Sequence, residues 1–412
     1  MPDNILTIKS NAKKLAKMAA ADLADSVHFF KTARQMDTSE FNSDRGGHSP
    51  GDTVSVRIPA QASVGTSSFD LTGALQDVKE RSVDATLDII GTVGFDLDSQ
   101  QLAHDIDLGK VYDRFIRGFV KDIAASVEAQ ALTKATQATA NLVGTPGSTV
   151  VDPDTVLAGR EKMSKFLAPK DDNRFFLMDS TAMRSAVNAN KNLFVFGKKE
   201  YGQGYIGDAL GYSWMENELL YQHTNGADVS VAIESTVLAP APGATSIGVD
   251  GVTSGATIKK GSTFTIAGVY AVHPQTKVAL PFLKQFTVTA DVTETSGNSV
   301  TIQISPAIYS SASGSLQNVS ALHADEAAVV FDGAASTTYT QSLMYHKEAF
   351  RVASVPLVLP TGAEFAEQAS EDGMNIAIIR DFDVLTRKMI TRIDFLGLVV
   401  PVRPEWACRV TS

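Results

Sequence analysis

Residues with the chemistry for catalysis or metal binding are present in this chain, but their spacing does not assemble a site. Seven histidines (His28, His48, His104, His223, His273, His323 and His346) are scattered over 412 residues. None falls in an HExxH pattern, and Cys408 is the only cysteine, so CxxC is impossible and a recognisable zinc site is absent. A lone cysteine also forms no internal disulfide, and nothing around Cys408 matches a nucleophile signature; buried packing is its expected role. GxSxG and GxxxxGK[ST] are missing. Gly202-Gln-Gly204-Tyr-Ile-Gly207 spells GxGxxG, but a dinucleotide fingerprint needs a strand before it and a helix opening from it. Gly197-Lys-Lys-Glu-Tyr precedes it and Gly211 interrupts the residues after it, so a glycine-rich surface loop is expected. Asp96, Asp98, Asp105 and Asp107 miss the EF-hand spacing and read as a solvated acidic edge. Asn318-Val-Ser320 matches a glycosylation acceptor, without an export signal to give it meaning. The expectation is no catalytic residue, no cofactor and no metal.

Composition points the same way. The chain is 44% apolar and 20% charged, an ordinary globular balance, with a formal net charge of -10. Wrapping nucleic acid needs an excess of Lys and Arg, so a surface that grips phosphate is not expected, although one that merely faces packed DNA is compatible. No run of about 18 apolar residues occurs, so no membrane span is expected. The start, Met1-Pro2-Asp3-Asn4 followed by lysines among Asn and Ala, carries no apolar export segment. The expected place of synthesis and residence is the cytoplasm.

The elements are more informative. Leu15, Ala19, Leu23, Val27 and Phe30 give an amphipathic helix over 13–36, whose apolar face packs on its own domain or grips a neighbour. A turn-rich stretch comes next at 38–50. Val54, Val56 and Ile58 alternate with Ser55 and Arg57; Val83, Ala85, Leu87 and Ile89 alternate with Ser82, Asp84, Thr86 and Asp88. These two strands, joined by a polar stretch, predict a two-stranded arm that needs support from something else. Val111, Phe115, Phe119, Ile123 and Val127 repeat at i+4 within a predicted helix over 108–139, about 45 Å long. Asp152-Pro153-Asp154 predicts a capped helix ending before Pro169. Phe175–Met178 reads as a buried strand, with a helix near 180–190. From 236 to 335 Ser, Thr, Gly, Val and Ala dominate, and no Arg occurs from 185 to 350. Short strands with turns, including one at Ser296-Gly297-Asn298, predict a small all-β barrel or sandwich inserted into an α+β body.

Two segments resemble a known family. Ile258-Lys-Lys-Gly261-Ser-Thr-Phe264 through Gly268, Pro274 and Lys277, continuing to Leu283-Lys-Gln285-Phe286-Thr-Val, resembles the inserted β domain of coat proteins from short-tailed, P22-type bacteriophages. Arg392-Ile-Asp394-Phe-Leu-Gly397 through Arg403-Pro404-Glu405-Trp406 resembles their closing strand, and the order of elements agrees over nearly the whole chain. The resemblance implies the tailed-phage and herpesvirus major capsid fold (HK97-type), α+β with a long spine helix, an extended β loop, and axial and peripheral domains. Its expected divisions are an N-terminal arm (1–50), extended loop (51–107), spine helix (108–144), axial domain (145–235), inserted β domain (236–335), and a return through the axial and peripheral domains (336–412). It implies a major capsid protein whose hexamers and pentamers close an icosahedral virion shell. The implied partners are a scaffolding protein, a portal protein and packaged double-stranded DNA, with assembly in the bacterial cytoplasm. A bacterial nanocompartment shell with the same fold is the alternative. Charges clustered beside apolar positions on the loop make Arg57, Lys79, Glu80 and Arg81 candidate intersubunit contacts.

Overall fold

Small side chains set how the first helix packs. In the computed structural model, which describes residues 4–36, 50–58, 81–98, 116–147, 151–189, 207–233, 241–295, 298–384 and 388–411, helix α1 spans Asn4–Ser26. Ala16, Ala19, Ala20, Leu23 and Ala24 are buried against the strands Phe365–Glu371 and Met374–Asp383. The described face of the expected N-terminal helix is thus covered by its own domain. Val27, extended at φ -109° and ψ 112°, breaks the helix that the periodicity carries on to Met36; a five-residue helix α2, His28–Thr32, comes after it. Val27 has no side-chain oxygen to cap α2, and the buried carboxylate of Glu128 accepts the Phe29 N–H instead, at 2.9 and 3.2 Å.

The chain divides into two compact units. The first comprises Met1–Val56, Ser82–Leu132 and Phe350–Val402, and is built on the 14-residue strand Lys388–Pro401. Ile89–Asp98 pairs along one edge of this strand, from Lys388 opposite Asp98 to Gly397 opposite Ile89. Met374–Asp383 and then Phe350–Ser354 pair along the other edge. Phe29 and Phe30 close the core against Phe350 and Phe395, with ring centroids 5.8 and 6.0 Å apart. Helix α3, Arg117–Ala138, buries Val120, Ile123, Ala124 and Val127 at helical spacing. It lies so close to the sheet that a Cβ on Gly91 would come within 2.7 Å of the Ile123 side chain. Residues 108–115 of the predicted spine helix lie outside the described residues.

The run 82–89, read as one strand, is two. Arg81–Thr86 pairs with Thr53–Ile58 in a two-stranded sheet, whereas Ile89 begins the strand on Lys388–Pro401. The break falls at Leu87, whose N–H bonds the Asp52 carbonyl and whose carbonyl accepts from Gly51. Apolar alternation continues across the break because Leu87 and Ile89 are both buried.

The second unit comprises Arg57–Arg81, Thr133–Ala349 and Arg403–Ser412. Its seven-stranded sheet joins Leu142–Gly144, Ala407–Thr411, Thr338–His346, Arg174–Met178, Tyr212–Glu216 and Asp208–Ala209 in that order, with Gln222–Thr224 also on Thr338–His346. Helix α4, Pro153–Lys165, starts where the sequence places it. The Asp152 side chain accepts the Thr155 N–H at 2.8 Å and Pro153 fills the first turn. Helix α5 is Ser180–Ala189. Trp214, Phe176, Met344 and Cys408 are part of the core beneath these helices.

From the same unit rises a closed six-stranded barrel. Its order is Ser230–Ile233, Ala244–Asp250, Ser299–Ile308, Ala279–Val288, Thr263–Val272 and Ala328–Phe331, which returns to the first strand. Closure leaves no free sheet edge. Ile302 and Ile304 point inward while Thr301 and Gln303 are exposed, the period-two pattern of a half-buried strand. The compositional boundary at 236 falls after the barrel's first strand. Ser296 and Gly297 of the expected turn lie outside the described residues, and Asn298 takes φ 64°. No described helix is long and apolar enough to cross a membrane.

Candidate assembly elements and the arginine that seats the barrel

Of the four candidate contact residues, Arg57 is exposed on strand Thr53–Ile58 and Arg81 opens its partner strand. Lys79 and Glu80 lie outside the described residues. Val54 and Val56 are buried on one face, which turns Ser55 and Arg57 outward; the Ser55 hydroxyl donates to the Asp84 carboxylate on the facing strand. The arrangement presents charge on a two-stranded element of alternating polarity.

A second constellation emerges only in three dimensions. Arg409, on strand Ala407–Thr411, is fully buried. Its Nε donates to the Thr139 carbonyl at 2.6 Å, and Nη1 to the Gly261 carbonyl at 2.5 Å and Gln341 Oε1 at 3.1 Å. Its Nη2 donates to the Gln137 carbonyl at 3.1 Å and Thr287 Oγ1 at 3.0 Å. All five guanidinium N–H groups of the side chain thus have acceptors. Gln137 and Thr139 lie at and just past the C-terminal end of α3, where helix carbonyls lack intrahelical partners and a cation is favoured. Gly261 and Thr287 belong to the barrel segment. Burial lowers the guanidinium pKa to about 10, so Arg409 stays charged at neutral pH.

Gln285 makes a second tie. Its Oε1 accepts from the Leu142 N–H at 2.9 Å and from Lys162 Nζ at 2.7 Å. The segment 283–288 that carries the family resemblance therefore seats the barrel on the sheet and on α4. Gly261 has φ 89°, and a Cβ there would meet the Tyr221 hydroxyl at 3.1 Å, so the backbone turn that delivers its carbonyl to Arg409 requires glycine.

His223 lines the same junction. Its Nδ1 shares a hydrogen bond with the Tyr221 hydroxyl and its Nε2 with Ser262 Oγ, each at 3.1 Å. Burial first, and the charge of Arg409 second, push its pKa down to about 4. The unfolded chain, with an ordinary histidine near 6.5, binds the extra proton between those values. Its contribution to stability is full above about pH 6.5, declines as pH falls toward 4, and levels off below. Burial lowers His323 in the same direction. Urea midpoints should fall from pH 7 to pH 4.5 by the equivalent of about 2–3 kcal/mol for His223, and His223→Gln should flatten that part of the profile. An unchanged slope in His223→Gln would assign the acid sensitivity elsewhere.

Among the described residues, no group of three or more His, Cys, Asp or Glu is placed to hold a metal. Asp96 pairs with Lys388 across the sheet, while Asp105 and Asp107 lie outside the described residues, as do 202–206 of the GxGxxG segment. Cys408 is buried and its thiol is pushed up to about 11 by burial, the reverse of an activated nucleophile. The sequence offers no signal for the junction beyond a charged residue, Arg409, inside the short apolar strand Ala407–Thr411.

Comparison with known proteins gives this architecture a family. The mature capsid of bacteriophage PhiM1 aligns with TM-score 0.46 at 9% identity, covering 93% of this chain and 86% of that one. The Mycobacterium phage Che8 structure aligns with TM-score 0.41 at 11% identity over 94% and 90% of the two chains. The capsid of cyanophage P-SCSP1u aligns with TM-score 0.40 at 12% identity over 91% and 92%. No curated protein matches by sequence. The family description "P22 coat protein - gene protein 5" matches residues 30–409, nearly the whole chain. With 380 of its 412 residues inside that match, the chain belongs to the P22 coat protein family and is a structural protein of the phage head shell.

Proposed function

We propose that copies of this chain form hexamers and pentamers that close an icosahedral head around double-stranded DNA. The match of residues 30–409 to a phage coat family carries this reading. In it, an internal scaffolding protein and a portal ring direct assembly in the bacterial cytoplasm, and the precursor shell expands as DNA enters. The net charge of -10 suits an inner surface that faces DNA without gripping it. The loop 51–107 reaches a neighbouring subunit, 108–144 forms the spine of the peripheral domain, and 145–235 with part of 336–412 forms the axial domain around the 236–335 insertion. Many modest contacts per subunit then add to a tightly held shell.

Coexpression with the proposed scaffolding protein, then negative-stain microscopy, should show closed shells. Arg57→Glu combined with Arg81→Glu should cut shell yield by about tenfold, the effect of losing about 1.4 kcal/mol at an interface. The free subunit's melting temperature should stay unchanged. A wild-type yield from the double variant would remove these two arginines from the interface, and absence of any shell from the unaltered chain would overturn the assembly itself.

A further inference from the structure

Among the described residues, one buried lysine of the second unit has an aromatic ring beside its ammonium but no hydrogen-bond acceptor or counter-ion. Lys284, on the barrel strand Ala279–Val288, is only 6% exposed. Its ammonium sits 4.8 Å from the centre of the Phe166 ring, and among the described residues it has no hydrogen-bond or ion-pair partner. Other buried cations of this unit are provided for. Arg409 has five acceptors, and Arg174 donates to the Pro169 and Ala168 carbonyls, both at 2.8 Å; even the half-buried Lys162 Nζ reaches the Leu142 carbonyl and Gln285 Oε1, both at 2.7 Å. An unpaired buried ammonium is costly, and its three donors call for an acceptor.

Beside Lys284 lies a cavity of about 120 Å³. Pro306 and Leu316 contribute apolar wall, and Lys277 and Glu405 contribute the charges. Glu405 sits beyond ion-pairing distance of Lys284, though its field favours the ammonium. Lys162 opposes it, and burial dominates both, lowering the Lys284 pKa to about 8. Two lysines against one glutamate leave the cavity positive. Its size exceeds what one water needs, and its apolar wall suits methylene groups. The Lys277 ammonium already donates to the Ser315 and Gln317 carbonyls, so a phosphate dianion would bring two charges against Glu405 and the Lys284 ammonium, whereas an aliphatic carboxylate brings one and lays its methylenes on the apolar wall.

We infer that this cavity is a carboxylate site, in which Lys284 holds an aliphatic carboxylate of about the size of a glutamate side chain. The carboxylate comes from a small organic acid or from an acidic side chain of a second copy of this chain. The site itself does not depend on the subunit arrangement proposed above, and only the second arm of the test uses assembled shells.

The probe is butyrate on the free full-length subunit, with butyramide and sodium chloride as controls. Butyrate should raise the melting temperature by about 2 °C, butyramide and chloride should not, and Lys284→Met should abolish the shift. Butyrate should also protect Lys284 from trace acetylation at pH 8 by threefold or more in the unaltered protein, leaving the exposed Lys259 and Lys260 unaffected; this readout stands even where the variant does not fold. In shells, acetylation of Lys284 that butyrate still suppresses identifies a free acid as the ligand. Acetylation suppressed tenfold without butyrate, and indifferent to it, identifies a neighbour's side chain. The inference is overturned by a free subunit in which butyrate neither shifts melting nor protects Lys284, or by an equal shift in Lys284→Met.

Discussion

Replacing Arg409 by Met should destabilise the second unit by about 3–5 kcal/mol, a large share of what holds a domain together. Methionine matches much of the stem but supplies no donor. The carbonyls of Gln137, Thr139 and Gly261, with Gln341 Oε1 and Thr287 Oγ1, would all lose the hydrogen bonds that the guanidinium provides. Each buried acceptor left unsatisfied costs about 1–3 kcal/mol, and because one group serves all five the losses are not additive. Arg409→Lys should fall between, since an ammonium offers three donors and lacks the planar fork. Hydrogen exchange read by mass spectrometry is the discriminating measurement. Protection should drop in Thr263–Val272, Ala279–Val288 and Thr338–His346, and persist in Lys388–Pro401 of the first unit. A urea midpoint within about 0.5 kcal/mol of the unaltered protein, in both variants, would show that water or relaxation satisfies these groups.

The difference between what sequence shows and what it hides tracks sequence distance. The Asp152 cap is legible because donor and acceptor are three residues apart. The barrel strands are legible because residues such as Ile302 and Ile304 alternate with exposed Thr301 and Gln303. Arg409 is not, because its side-chain partners lie 68 to 272 positions away and its strand is buried on both faces, which erases the alternation. Leu87 misleads in the opposite sense: the period continues while the strand changes partner, and only the register reveals the break. Ser230–Ile233 escapes a composition-based boundary because four residues are too few to change a regional average. The helix 13–36 leaves two readings open, since an apolar face does not state what covers it; the sheet strands beneath α1 supply that answer for its described residues.

Phe264→Ala should be the most damaging single change inside the barrel, at about 3–5 kcal/mol. The ring is fully buried, stacked on Phe286 at 5.7 Å and tilted against Phe331 at 5.2 Å. These three rings come from three strands, two of which flank Thr263–Val272 in the closed order. Removing the central ring opens a cavity that the barrel cannot collapse into without shifting hydrogen-bonded strands on either side, so little of the lost contact is recovered. Phe264→Leu keeps most of the volume and should cost less than half as much. Arg409 and Phe264 then predict different patterns. Loss of the ring weakens Ser230–Ile233, Ala244–Asp250 and Ala328–Phe331 along with the rest of the barrel, while Arg174–Met178 and Tyr212–Glu216 of the adjoining sheet keep their protection. Loss of the guanidinium reaches that sheet through Gln341 on Thr338–His346, because the barrel and the sheet share Arg409 as a bonding partner. Equal loss of protection in both regions from Phe264→Ala would mean that the two unfold as one cooperative body, and that the insertion cannot loosen separately from the sheet that carries it.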